Sequence, residues 1–267
     1  MDFQLALIIG LTFVIHLVGT LAYAFRIAGI RTGHIAIAFS LFNVLVLISR
    51  TSNSFQGPFL AKRVENAIKS PVLHDLHFDF VLIIASASAA TLIGGLLIPT
   101  FQRYSTIAVS SFKRNRSMPR LLARSLTLRG VSLIGASAKI PSYRNLYLLK
   151  LPTDVPVSVI LMNFAASALW TVGVLAAIYA GTIDPDLRVT ASTLSSVING
   201  VATIMMFILI DPYLAALTDD TVSGASDDGF FRKVVVWMIA GRLAGTIAAQ
   251  AILVPAAQLI VWVAKAI

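Results

Sequence analysis

Along this chain apolar runs of about twenty residues alternate with short polar stretches, and within the runs the polar positions fall at helical spacing. From Ile35 onward, Ala36, Ser40, Asn43, Leu47 and Arg50 recur at alternating intervals of four and three, so small and polar groups share one helix face. Ile35, Phe39, Phe42, Leu45 and Val46 fill the rest, an apolar surface suited to lipid. A spanning helix needs roughly 20 apolar residues. Six segments meet or approach that length: about 3–25, 33–49, 78–99, 156–183, 189–210 and 234–254, the last with an apolar continuation to 267. The final run is too long for one straight crossing, and Pro255 is expected to kink or break it. The fold class is therefore all-α: a polytopic membrane bundle of about six spans, with amphipathic surface helices.

Polar stripes recur on most of these segments. The first carries Thr12, His16, Gly19, Tyr23 and Arg26 on one face; the third carries Asp79, Ile83, Ser86, Ala90 and Gly94. The fourth offers Asn163, Ala166, Trp170 and Gly173, and the fifth Ser192, Ser196, Asn199 and Thr203. The sixth places Arg242 near its middle, inside a small-xxx-small element formed by Gly241 and Gly245, with Gln250 beyond. Polar groups in a bilayer are costly, about 2.5–3.5 kcal/mol for a central arginine on insertion scales, and each is a functional hypothesis. Asn163, Asn199 and Gln250 are expected to serve as interhelical hydrogen bonds. Arg242 needs an anion: Asp79, Asp211, or a phosphate on a substrate. Arg26, Arg31 and Arg50 stand at helix ends, where a guanidinium either snorkels or takes phosphate oxygens bidentately. His16 and Asp79 are candidate ion carriers, with a structural role as the alternative. Asp211 is likewise an ion-coupling or structural candidate.

Composition sharpens the class. Of 267 residues 57% are hydrophobic and only 12% charged, about half the charged share of a globular domain. The chain has no cysteine, which removes disulfides, thiolate catalysis and cysteine metal sites. Four histidines form no metalloprotease pattern; His74, Asp75, His77 and Asp79 read as a solvated loop entering a helix rather than a metal site. The net charge of +9 fits cationic loops facing an anionic leaflet better than nucleic acid, since hydrophilic basic runs with stacking aromatics are missing. No Gly-Lys dipeptide occurs, so a Walker A loop is excluded. No cofactor is implied. The first helix lacks the features of a cleaved signal and is expected to stay in the membrane.

Residues 1–99 thus hold three spans, 100–150 a basic loop and 151–267 three more, in one membrane domain. With the N-terminus outside, fourteen cations fall on the cytoplasmic side and six outside, with Arg242 in the membrane. The 100–150 loop carries ten cations and no acid, and Arg120 and Arg124 alternate with Leu121, Leu122, Leu126 and Leu128. This pattern predicts helices lying on the inner leaflet, their cations toward anionic lipids. The Asp219–Asp220 and Asp227–Asp228 pairs lie in a Gly/Ser-rich stretch read as a solvated loop.

Five segments carry a family resemblance: Arg26-x-x-Gly-x-Arg-Thr-Gly33, Ser40-Leu-Phe-Asn43, Ser49-Arg-Thr-Ser-Asn53, Gly241-Arg-Leu-Ala-Gly-Thr246 and Pro255-Ala-Ala-Gln258. In these the chain resembles the Amj family, alternate lipid II flippases of bacterial cell-wall synthesis. The resemblance implies a multi-pass protein of the bacterial cytoplasmic membrane. It also implies a transporter rather than an enzyme, moving undecaprenyl-diphosphate-linked precursor to the outer leaflet. It supplies no residue roles, so the candidate substrate contacts Arg26, Arg31, Asn43, Arg50 and Arg242 rest on the physical reading. A small-anion transporter, a membrane scaffold and a prenyl-diphosphate transferase remain the rival functions, and a homo-oligomer stays open.

Overall fold

In a computed structural model, which describes residues 2–69, 76–125, 127–139 and 155–267, every long element is a helix. Six helical segments are long and apolar enough to cross a membrane. These are α1 (Phe3–Thr32), α2 (Ile35–Lys69), α3 (Leu76–Asn115), α6 (Val157–Ile183), a composite segment over Pro185–Ser223, and α10 (Asp228–Ala266). Two short helices, α4 (Met118–Ser125) and α5 (Leu128–Ala136), follow α3. The composite segment comprises a 3-10 turn (Pro185–Leu187), α7 (Arg188–Thr193), α8 (Ser195–Ile204), a π-helical stretch (Met205–Ile210) and α9 (Asp211–Ser223).

Local chemistry sets the ends. Asp2 caps α1 by accepting the Leu5 N–H at 2.8 Å, and Gly33, at φ 66°, closes it in the left-handed region that glycine adopts freely. Only Gly33 and His34 then separate α1 from α2, which fold back as a tight hairpin. Asp227 caps α10 through the Gly229 and Phe230 N–H groups. Inside the spans, threonine hydroxyls are hidden by donating to carbonyls one turn back, as Thr12 does to Ile8 and Thr20 to His16.

α1 pairs with α3 and α10 with α6, both at close range. A Cβ on Gly94 would lie 2.9 Å from Thr20 Cβ, and Ser86 donates across the same seam to the Ile9 carbonyl at 3.1 Å. Asp79, Ile83, Ser86, Ala90 and Gly94 are all buried there, as their spacing predicts. Gly241 and Gly245 press α10 on α6, with Gly245 against the Phe164 carbonyl. α2 and the composite segment flank this centre with much of their apolar surface outward, including Leu47, Ile48, Val201, Phe207 and Ile208.

Several expectations need correction. α2 does not stop near Ser49 but runs through Pro58 to Lys69, so Lys62, Arg63 and Lys69 are helical rather than in an outer loop. α10 continues through Pro255 unbroken. Membrane helices carry such prolines because neighbouring helices and side chains re-satisfy the freed carbonyls. α3 extends to Asn115, taking the first part of the basic stretch into a helix. In α4, Met118 and Leu121 pack, partly buried, against Phe25, Ala38, Leu41 and Val109, and Arg120 and Arg124 are exposed. α5 does leave Leu128 and Leu133 exposed. Trp170 faces outward, 40% exposed, away from the buried Asn163, Ala166 and Gly173. Asp219 and Asp220 belong to the last turn of α9 rather than a loop. His74, Asp75, Leu126 and residues 140–154 lie outside the described residues, as does the Leu122 side chain.

Candidate functional site

The α1 stripe is where the other helices bring their polar groups. At its start Arg63 of α2 donates to Asp2 at 2.7 Å and to Asp79 of α3 at 2.7 Å, tying α1, α2 and α3 at the end that holds both termini. Lys265 and Asp184 join α10 to the end of α6 at 3.1 Å on that same end. Nearly three turns on from Asp2, Gln56 of α2 donates to the Thr12 hydroxyl at 2.6 Å, both residues buried.

Beyond Thr12 the character changes. His16 is 4% exposed and its Nδ1 is buried without a hydrogen-bond partner. Arg242 reaches from the middle of α10 to α1 and lays its guanidinium on Gly19: a Cβ there would sit 2.5 Å from Nη2 and 3.2 Å from Cζ. Its Nε is buried and unpartnered, and among the described residues it forms no ion pair. One and two turns on stand Tyr23 and Arg26, both buried. Arg26 donates from Nη2 to Asp211 of α9 at 2.8 Å, stands 4.8 Å from the centroid of the Phe39 ring of α2, and leaves Nη1 buried and unpartnered. From His16 to Arg26 the stripe climbs about 15 Å. His16 and Arg26 of the stripe, and Arg242 laid on it, each hold a buried nitrogen with no partner among the described residues.

This arrangement decides the question posed for Arg242. Asp79 serves Arg63 and Asp211 serves Arg26, so neither proposed acid pairs with Arg242. Among the described residues the half-buried Arg242 guanidinium keeps a buried donor that faces no acceptor, and such a group is satisfied by an anion or by water. Arg26 keeps a second such donor, with its other arm engaged. The planar forks of both suit phosphate oxygens.

Other predicted residues are not brought together with these. Arg31 is exposed at the hairpin end, within electrostatic reach of Arg103 and Arg232. Asn43 and Arg50 do share a face with Ala36, Ser40 and Leu47, but that face is the outward flank of α2. Asn163 donates to the Met238 carbonyl at 2.7 Å and Gln250 to the Val81 carbonyl at 2.9 Å, the interhelical role expected of them. Asn199 packs on Gly173 with its Oδ1 unpartnered. Asp79 is bound by Arg63, and His77 lies 3.4 Å from the Tyr179 hydroxyl; among the described residues no three His, Asp or Glu side chains gather as for a metal. Sequence reasoning missed Asp2 and Arg63. The signal was there in an arginine at helical register beyond Pro58, but the proline and flanking polar residues read as a loop.

A bundle of six apolar spans, with Arg26 and Arg242 turned inward and no acid among the described residues paired with Arg242, defines a polytopic membrane protein with cations in its interior. The comparisons agree with that class and make it particular. The chain belongs to the Amj family, whose model, described as "Alternate to MurJ", matches residues 11–264. It is 32% identical over 265 residues to the Lipid II flippase Amj of Bacillus subtilis (strain 168), covering 98% of this chain and 97% of that protein. No solved structure matches.

Proposed function

We propose that this chain is a lipid II flippase. In this reading it moves undecaprenyl-diphosphate-linked peptidoglycan precursor from the inner to the outer leaflet of the bacterial cytoplasmic membrane. It does so without ATP hydrolysis, with the N-terminus outside and the basic stretch after α3 in the cytoplasm, gathering anionic lipid. Arg242 and Arg26 meet the diphosphate in passage. Arg31 meets it at the hairpin end, and Asn43 and Arg50 flank its path on the lipid-facing side of α2. The observation that carries the reading is the Arg242 guanidinium, held at mid-span on Gly19 with its Nε buried and unpartnered. A diphosphate on a polyprenyl tail matches both requirements of such a site, a bidentate anion and an entry from lipid.

The test is flipping by Arg242 variants reconstituted at equal, folded amounts in liposomes. Arg242→Lys keeps charge but loses the fork and should flip at a reduced rate; Arg242→Ala should not flip. A folded Arg242→Ala protein with wild-type flipping would sink the phosphate role.

A further inference from the structure

The two buried arginines that bind acids, Arg26 and Arg63, do so differently. Arg63 spreads its guanidinium over two carboxylates, Asp2 and Asp79, and closes three helix ends together. Arg26 gives one nitrogen to one oxygen of Asp211 while Nη1 stays buried and bare. The two side chains also differ in access: Arg26 is 9% exposed and Asp211 37%. The cation is thus held inside, against Phe39, while its carboxylate is partly exposed.

The backbone around Asp211 is irregular in the same place. The π-helical stretch Met205–Ile210 ends immediately before it and Pro212 follows, so this turn lacks the regular α-helical ladder. Single π-helical turns inside a helix are uncommon and frequent at functional sites. Beyond Asp211, α9 buries Leu214 and Leu217 in the core, while Tyr213, Leu217 and Asp220 line an open cleft of about 520 Å³ with Val155, Ser226 and Phe230.

From the half-used guanidinium of Arg26, the exposed carboxylate on it and the π-helical turn behind that carboxylate, we propose that Asp211 is a resident counter-ion. It holds the phosphate position on Arg26 in the unloaded protein, and an incoming diphosphate displaces it. The proposal rests on the flippase reading for its ligand class and adds a specificity-determining residue to it. Asp211 spares Arg26 an unpaired buried charge when no lipid is present. It also sets a threshold: one carboxylate is displaced by a group that can take both arms of the guanidinium, and a singly bound or weakly charged headgroup does not compete. When the lipid leaves, the carboxylate returns and clears the site.

Binding of farnesyl diphosphate to the full-length protein in detergent tests this, with inorganic pyrophosphate and farnesol as the tail-less and phosphate-less arms. Asp211→Asn should tighten the dissociation constant by about tenfold, equivalent to about 1.4 kcal/mol, because a competing anion has been removed. Asp211→Glu should bind as wild type, and Asp211→Asn should change nothing in an Arg26→Gln background. Tightening for pyrophosphate as well assigns the recognition to the phosphates alone; tightening for farnesyl diphosphate only adds the tail. Both support the counter-ion role. A folded Asp211→Asn protein that binds no tighter than a binding-competent wild type overturns it and leaves the flippase reading standing. No diphosphate binding by any of these proteins overturns both. Should Asp211→Asn fail to fold, the charge-swapped Arg26→Asp/Asp211→Arg protein decides: restored folding with lost binding is expected, and wild-type binding overturns the proposal.

Discussion

Gly19 separates a functional role for Arg242 from a packing role. Replacing Gly19 by alanine puts a methyl 2.5 Å from Nη2 and 3.2 Å from Cζ of Arg242. Ordinary contact begins near 3.4 Å, so the guanidinium must retreat by about 1 Å. The atom that yields is the far end of a flexible side chain, so the collision is cheap. Alanine also gains about 0.8–1.0 kcal/mol of helix propensity over glycine. Stability should therefore change by less than about 1 kcal/mol. Transport should not be spared, because the charge is displaced from the seat that positions it; we expect flipping in liposomes to fall by about tenfold. Gly245→Ala is the control. Its methyl would collide with the Phe164 carbonyl and lie 3.0 Å from Ser167 Cβ, and a backbone oxygen cannot swing aside. That variant should lose about 1–3 kcal/mol of stability, seen as a lower melting temperature in detergent. The reasoning fails if folded Gly19→Ala flips lipid at the wild-type rate, or if its stability drops as far as that of Gly245→Ala.

Arg63→Gln takes the guanidinium away from Asp79, which is 3% exposed, and should cost about 3–5 kcal/mol, read as a melting-temperature drop that Asp79→Asn partly restores. The Leu5 N–H and the Arg63 guanidinium hold the Asp2 carboxyl below its ordinary 3.8, so its contribution is intact above that value and lost as pH falls through the lowered one. The melting temperature should have no Asp2-dependent change between about pH 5 and 8 and an acid decline below about pH 4 that Asp2→Asn diminishes. Cysteine at exposed Ser110 should resist an impermeant thiol reagent in intact cells while cysteine at exposed Asn66 reacts; the reverse would invert the orientation. Arg120→Glu with Arg124→Glu should reduce flipping more than the glutamine pair, since both side chains are exposed and repulsion is added to lost attraction; equal activity of the glutamate and wild-type forms would refute a lipid role.

What could be read from the residues was the set of faces. Helical spacing alone put His16, Gly19, Tyr23 and Arg26 on one line, and those four form the inward stripe. Spacing also gave the buried edge of α3 and the glycine seam of α10. Which face meets which helix was not legible, because that is a property of the assembled bundle. Asn43 and Arg50 were placed on the right stripe, yet the stripe turns outward, the hairpin at Gly33 having aimed Ala38 and Leu41 at Phe25 and Val109 instead. Ion-pair partners were illegible for the same reason. Asp79 could serve Arg242 or Arg63 on charge alone, and only the packing of α2 beside α1 decides for Arg63. Prolines misled most: Pro58 and Pro255 stop helices in water, but here both sit inside continuous ones.

The α6–α10 seam has a mechanical meaning. Where Gly245 meets the Phe164 carbonyl, and where a Cβ on Gly241 would lie 3.2 Å from the Ile160 carbonyl one turn away, two backbones touch without side chains between them. Such contacts are stiff, since there are no rotamers to take up a sliding motion. The pair behaves as one strut, and Arg242 projects from it between the two contact points. The root of its side chain is therefore held at a constant depth, like a post set in masonry, while the guanidinium at its tip keeps the freedom of a flexible stem. A lipid crossing this protein would meet a charge that can follow it only as far as that stem reaches.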